Sequence, residues 1–260
     1  MSQNPPATVA SLYRYPVKGL TPERLPAVAL SVGEPLPSDR RYAIENGPSG
    51  FDPAAPQHFP KFKFLMLMRN ERLAALRSHY DDASHVLTIR KDGAEVARAD
   101  LATADGRAAI EAYFEANFAD ELTGPPKVLS AEGFSFSDVA RKVVSIINLN
   151  SVKALEGVIG QPVHPLRFRG NVMVSGWPAW HEFELMDREI AIGGARLKIV
   201  KRIKRCAATN VDPDTAARDL NIPATLLQTW GHPDLGVYAE VIEAGTIAEG
   251  DSIEVQAAGL

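Results

Sequence analysis

The sole cysteine of the 260-residue chain, Cys206, closes a strongly basic run. Six of the eleven residues from Arg196 to Cys206 are Lys or Arg. A thiolate beside cationic side chains is favoured over the thiol, and thiolate is the form that ligates soft metals. Thr209, Asn210 and Val211-Asp-Pro213 follow directly. Local composition leaves a second reading open, because a lone cysteine is often a small apolar core residue, here behind a solvated basic strand. One cysteine cannot form an intrachain disulfide, and a reduced, cytoplasmic setting is the simplest expectation.

Two further segments carry anion-binding chemistry. In Arg167-Phe-Arg-Gly-Asn171 the two arginines, read as part of a strand, share a face. Arg suits bidentate grip on a phosphate, and the Asn171 amide can both donate and accept. Tyr13-Arg-Tyr-Pro-Val-Lys18-Gly19, followed later by Asp39-Arg40, places a lysine at a strand end. Taken alone, the arginine segment reads equally as surface charge, and the lysine segment reads first as a surface lysine.

Other chemistries lack their residues. The six histidines are scattered, with no H-E-x-x-H and no C-x-x-C companion, so a zinc hydrolase is not expected. No G-x-S-x-G elbow, P-loop or G-x-G-x-x-G after a strand is present. The composition, 45% hydrophobic and 23% charged with net charge −4, is that of a globular chain. It gives no basic balance or aromatic interleaving for nucleic acid. The polar, proline-bearing start from Met1 to Thr8 has no signal-peptide core, and no apolar window approaches membrane-spanning length.

The elements that must position these residues are mostly short strands. Alternation marks strands at residues 9–15, 28–32 and 41–44, and residues 46–60 read as loop. Asn70 is expected to cap a helix through about His79, with Leu73, Leu76 and Tyr80 on one face. Lys91-Asp-Gly93 marks a hairpin between residues 86–90 and 95–99. The stripe Ile110, Tyr113, Phe114, Phe118 predicts a helix over 107–118. Gly124-Pro-Pro126 is the strongest break and sets the expected boundary between domains 1–125 and 126–260. Beyond it come a buried strand over 143–149, a helix capped by Ser151 and ended by Gly160, and strands at 172–175, 189–192, 195–203, 237–242 and near the C-terminus. The fold class expected is α+β, mainly β, with two barrel-like domains and a few short helices. The loops at 46–60 and 210–227 are expected to border a water-accessible site beside Cys206.

In order along the chain these segments resemble the MOSC family, named for the C-terminal domain of molybdenum-cofactor sulfurases. Arg167-Phe-Arg-Gly-Asn-Val-Met-Val-Ser-Gly176 resembles its R-F-R-x-N strand, and Trp180-His-Glu182 its W-x-E turn. Ile192-Gly-Gly-Ala195 is similar to its short hairpin, and Arg205-Cys-Ala-Ala-Thr-Asn-Val-Asp-Pro-Asp-Thr215 to its R-C-x-x-T-x-V-D-P-x-T signature. Leu235-Gly-Val-Tyr238 and the Gly245 to Asp251 segment resemble the closing strands, while Tyr15-Pro-Val-Lys18 and Asp39-Arg-Arg-Tyr42 resemble the N-terminal β-barrel domain. The layout is similar to that of the amidoxime-reducing branch, without a membrane anchor or fused ferredoxin domain. The resemblance implies a molybdenum cofactor with Cys206 as the metal's protein ligand and catalytic residue. It implies that Lys18, Arg40, Arg169, Asn171, Arg205 and Thr209 hold the cofactor. It further implies reduction of N-hydroxylated or related N–O small molecules with electrons from a separate redox protein. No pyridoxal phosphate is expected, because two barrel-like halves leave no residues for a Schiff-base site, and neither a nucleic-acid nor a membrane partner is expected from the composition. The alternative is a carrier of cofactor or sulfur that uses a cysteine persulfide. Two positions depart from the pattern: Gly19, where Ser often follows the lysine, and Ala216, where Gly is usual.

Overall fold

A computed structural model describes residues 6–256, so Met1–Pro5 of the polar start lie outside the described residues. The first half forms β1 (Thr8–Arg14), β2 (Glu23–Leu25), β3 (Ala27–Leu30) and β4 (Ala43–Asn46). It continues with β5 (Leu76–Tyr80), β6 (Val86–Lys91), β7 (Ala94–Asp100), α1 (Ala104–Phe118) and β8 (Pro126–Leu129). The second half begins with β9 (Val144–Asn148), α2 (Leu149–Ile159), β10 (Val172–Ser175) and α3 (His181–Glu184). It ends with β11 (Glu189–Ile192), β12 (Ala195–Lys204), α4 (Ile222–Trp230), β13 (Asp234–Glu243), β14 (Gly245–Ala248) and β15 (Ile253–Val255). The fold is mainly β with a few short helices, as the alternating pattern implies.

A curled eight-stranded sheet runs in the order β15-β11-β12-β13-β9-β10-β1-β2. All its named pairings are antiparallel except β9 with β10, which α2 connects as a crossover. β1 pairs with β10, so the start of the chain completes the sheet built by the second half. Its inward side chains Val9 and Leu12 join Val144, Val174, Leu197 and Val237 in one core. A second core gathers Val17, Leu73, Tyr80, Ile89, Phe114 and Val128 around the β5-β6-β7 sheet and α1. No helix among the described residues is long and apolar enough to cross a membrane.

Three local expectations are corrected. The helix expected from Asn70 to His79 is a single 3-10 turn, Glu71–Ala75, followed by β5. Leu73, Leu76 and Tyr80 are buried in either geometry, and pairing of Leu76–Tyr80 with β6 supplies backbone partners that decide for the strand. The α2 cap is Asn148, whose side chain accepts from the Asn150 N–H at 3.0 Å. Ser151 is buried one turn later and donates to Glu182 at 2.9 Å. The stretch after Asn210 contains α4, with Pro223 in its first turn and Gly231 as its left-handed cap.

Two buried features fix the strand ends that lead to Cys206. Gly236 in β13 has φ +76, and a Cβ there would lie 2.6 Å from the Ile146 carbonyl oxygen and 3.0 Å from the Arg205 guanidinium. Glu182 in α3 is fully buried; Asn148 and Ser151 donate to one carboxylate oxygen, and the other has no partner. Burial therefore pushes its carboxyl up, against the pull of those donors.

Gly236→Ala should cost about 2–4 kcal/mol through left-handed strain plus the backbone clash; urea unfolding midpoints give the measurement. For Glu182 the folded-state pKa lies above the unfolded one, so the native state binds more protons and stability falls as pH rises past the ordinary carboxyl range. Relative to Glu182→Gln, the natural protein should lose stability as pH rises from about 4 towards the raised folded-state pKa of Glu182 and level off above it, read from denaturation midpoints across that range.

Candidate functional site

Cys206 lies at the junction where β12 ends and a 3-10 turn, Ala207–Asn210, begins. The Thr209 amide and hydroxyl both donate to the Cys206 carbonyl, at 3.0 and 2.9 Å. That pair closes the turn and leaves the half-buried sulfur beside a cavity of about 300 Å³. Lys18, Arg40, Arg169, Asn171, Arg205, Cys206 and Thr209 all line this one cavity. Its lining holds nine Lys and Arg side chains against two acids, in a chain whose net charge is −4.

Each buried cation is held by backbone oxygens. Arg205 donates from Nε to the Leu235 carbonyl at 2.7 Å and from Nη1 to the Phe168 carbonyl at 2.9 Å, with its Nη2 also on Leu235. Burial pulls its pKa down to about 10, against the opposing influence of Tyr238 and Cys206. Arg169 donates to the Leu20 carbonyl at 2.8 Å, and Arg40 donates to the Arg169 carbonyl at 2.9 Å. Both guanidiniums stack on buried Tyr15, with carbons 4.3 Å (Arg169) and 4.4 Å (Arg40) from its ring centroid. Burial lowers Arg169 to about 10 as well, and raises the Tyr15 hydroxyl to about 12. Asp39, which pairs with Arg40, accepts from the Tyr15 amide at 2.8 Å and anchors this layer.

Lys18 donates to the Phe136 carbonyl at 2.9 Å and pairs with Asp138. Burial lowers the Lys18 ammonium, partly countered by Asp138. Lys61 stands 3.5 Å from the same carboxylate. Burial would raise Asp138, but Lys18 and Lys61 outweigh it and hold the carboxyl well below its ordinary range. Lys61 is also close enough to Cys206 for the sulfur to raise its pKa, after burial and Asp138 have acted in opposite senses.

Asn171 faces the cavity but is already engaged. Its amide oxygen accepts from the Ser145 amide at 3.0 Å and hydroxyl at 2.6 Å, and its NH2 donates to the Tyr13 carbonyl at 3.1 Å. It ties β9 and β1 together beneath the cations. Arg167 and Arg169 do not share a face, because residues 165–168 form a 3-10 turn and Arg169 is left-handed at φ 50. Arg167 instead donates to Asp212 at 2.7 Å, Asp219 at 2.8 Å and the Asn210 carbonyl at 3.1 Å. It braces the loop after Cys206.

Sequence reading missed Lys61, Asp138 and Tyr238 as members of this cavity. Lys61 precedes a short apolar run that gave no reason to place it, and Asp138 lies in an unpatterned loop. The expected border loops are not its walls: neither 46–60 nor 210–227 lines the cavity, whose rim includes Lys61, Met68, Val139 and Lys201–Lys204. The two departures have structural readings. Gly19 has φ +87, and a Cβ there would approach the Leu65 carbonyl oxygen to 2.9 Å, so glycine suits this backbone. Ala216 sits at φ 61, where glycine would carry less strain.

Among the described residues no three His, Cys, Asp or Glu side chains gather as a metal site. A metal at Cys206 would therefore take a single protein sulfur and bring its other ligands with it. Sulfur donor, cationic lining and enclosed volume fit an anionic group of that kind.

The chain is similar to several known proteins. Mitochondrial amidoxime reducing component 2 of Bos taurus is 29% identical over 122 residues, covering 42% of this chain and 36% of its own length. The Homo sapiens protein of the same name is 32% identical over 98 residues, 33% of this chain and 29% of its length. The matched part thus spans about a third of each relative. The crystal structure of the YUAD protein from Bacillus subtilis superimposes over 97% of both chains, with 14% identity and a TM-score of 0.46. The family profile described as the MOSC domain matches residues 57–254, and on that coverage the chain belongs to the MOSC family.

Proposed function

We propose that this protein binds a molybdenum cofactor through Cys206 and reduces N-hydroxylated or related N–O small molecules. The observation that carries the reading is the convergence of one thiol and four cations on a single cavity, Lys18 and Arg205 buried and Arg40 and Arg169 half-buried. The similarity to proteins named amidoxime reducing components supports the reaction class. The bound group would supply two-electron redox chemistry at the metal, the electrons coming from a separate redox protein.

The residues of this chain supply attachment, orientation and charge. The Cys206 sulfur is the metal's protein ligand, held in place by the Thr209–Cys206 turn. Arg169, Arg40 and Lys18 receive the anionic end of the cofactor. Arg205, fixed to Leu235 and Phe168, keeps positive charge behind the sulfur. Asn171 and Thr209 act as supports, since their polar atoms already hold the strand ends and turn on which the cations stand. The cations are held in place before binding, so little reorganisation is needed when an anion arrives. One observation favours the rival carrier reading: Cys206 is half-buried, hence reachable by an acceptor.

Cys206→Ala should abolish metal-centred reduction while the protein still folds. Molybdenum-edge X-ray absorption should then count one sulfur neighbour fewer; an unchanged count rejects the ligand. Arg169→Ala should weaken cofactor retention by roughly 1.5–3 kcal/mol, or one to two decades, read as molybdenum per protein after gel filtration at raised salt. To separate enzyme from carrier, loaded protein is given a chemical reductant and a benzamidoxime. Many turnovers with cofactor retained support the enzyme. Rapid transfer of cofactor or sulfur to an acceptor, without reduced product, decides for the carrier.

A further inference from the structure

The cavity's cations fall into two sets. The inner set, Lys18, Arg40, Arg169 and Arg205, is buried or half-buried and held by backbone oxygens or acids, as described above. The outer set, Lys201, Arg202 and Lys204, lies on the last turnings of β12 before Cys206, and all three residues are exposed while lining the same cavity. Among the described residues none of the three forms an ion pair within 4.0 Å. Arg202 stacks on Phe183, with its guanidinium carbon 4.3 Å from the ring centroid, which leaves its charge uncompensated.

Most neighbouring acids are committed elsewhere. At the far end of β12, Arg196 pairs with Glu243 and stands 3.6 Å from Glu189. On β13, Glu240 is taken by Arg141; Asp234, opposite Lys204 in register, forms no ion pair and offsets at most one of the three rim charges. The two acids of the cavity, Asp39 and Asp138, serve Arg40, Lys18 and Lys61. The chain carries more acid than base, yet the rim beside its only cysteine is left positive.

We infer that this rim selects negatively charged small substrates over neutral ones of the same shape. The inference rests on the proposed function for the identity of the reaction, but its electrostatic part stands on the rim alone. Unpaired charges at the mouth of a cleft with low-dielectric walls raise the local concentration of counter-ions and their rate of entry. An anionic cofactor would be matched by the inner cations, which leaves the outer three to act on what enters afterwards. A carboxylate-bearing N-hydroxy compound has the required chemistry: its anionic group meets the Lys201–Lys204 rim while its N–O group reaches the sulfur side.

Two measurements test this. In cofactor-free protein the alkylation of Cys206 by iodoacetate, an anion, is compared with that by neutral iodoacetamide. The anion-to-neutral rate ratio should fall about tenfold in a Lys201→Gln, Lys204→Gln double variant, and should fall likewise in the natural protein as salt rises. In loaded protein driven by a chemical reductant, kcat/KM for 4-carboxybenzamidoxime relative to benzamidoxime should drop by a similar factor in the same variant. Ratios that the variant leaves unchanged overturn the inference. So does salt dependence that arises only when an acidic donor protein replaces the chemical reductant, which would make the rim a docking surface. If neither amidoxime is reduced, the proposed function fails, and the alkylation ratio still decides the charge of the mouth.

Discussion

Taking Lys18 and Arg205 out of water, and Arg40 and Arg169 partly so, costs several kcal/mol for each buried ion unless fixed polar partners replace the lost hydration. The remainder of the site is organised around that cost. Carbonyls of Leu20, Phe136, Phe168, Arg169 and Leu235 supply the partners, and each lies on a segment that had to be steered there. Burial holds the Arg169 and Arg205 guanidiniums below their ordinary pKa because compensation is incomplete, whereas at Arg40 burial is outweighed by the pull of Asp39 and Tyr15. A site in that condition favours an added anion, since binding removes repulsion already paid for in folding.

The same constraint explains why the two halves of the chain are interlocked. Strand β1 pairs with β10, and Asn171 joins the Tyr13 carbonyl to Ser145 at the point where the cationic layer begins. Lys18 and Arg40 can therefore face Arg169 and Arg205 only when that sheet is complete. Gly236 allows the backbone of β13 to pass close under Arg205, and Glu182 locks α3 to the start of α2 nearby. These are features of low tolerance, where a methyl group or a proton changes the fit. By contrast the rim residues Lys201 and Lys204 are exposed and form no ion pair among the described residues, so their charge is free to act outward.

The sequence by itself determined the local parts. A period of two marked β1, short apolar runs marked most other strands of the large sheet, and a 3.6-residue stripe marked α1, because each buried face must be apolar to reach a core. The lone cysteine beside a dense cationic run, with Arg169 and Arg205 in recognisable motifs, made the chemistry of the centre legible. Tertiary structure decided what depends on partners distant in the chain. Leu76–Tyr80 became a strand because β6 satisfied its backbone, although its apolar spacing equally suits a helix. Arg167 turned away from Arg169 because two aspartates 45 and 52 residues later offered it ion pairs. Lys61, Asp138 and Tyr238 joined the cavity through loops and a β13 register that no short-range pattern encodes. Local sequence sets which conformations are cheap, whereas charge compensation among buried groups is a property of the assembled space.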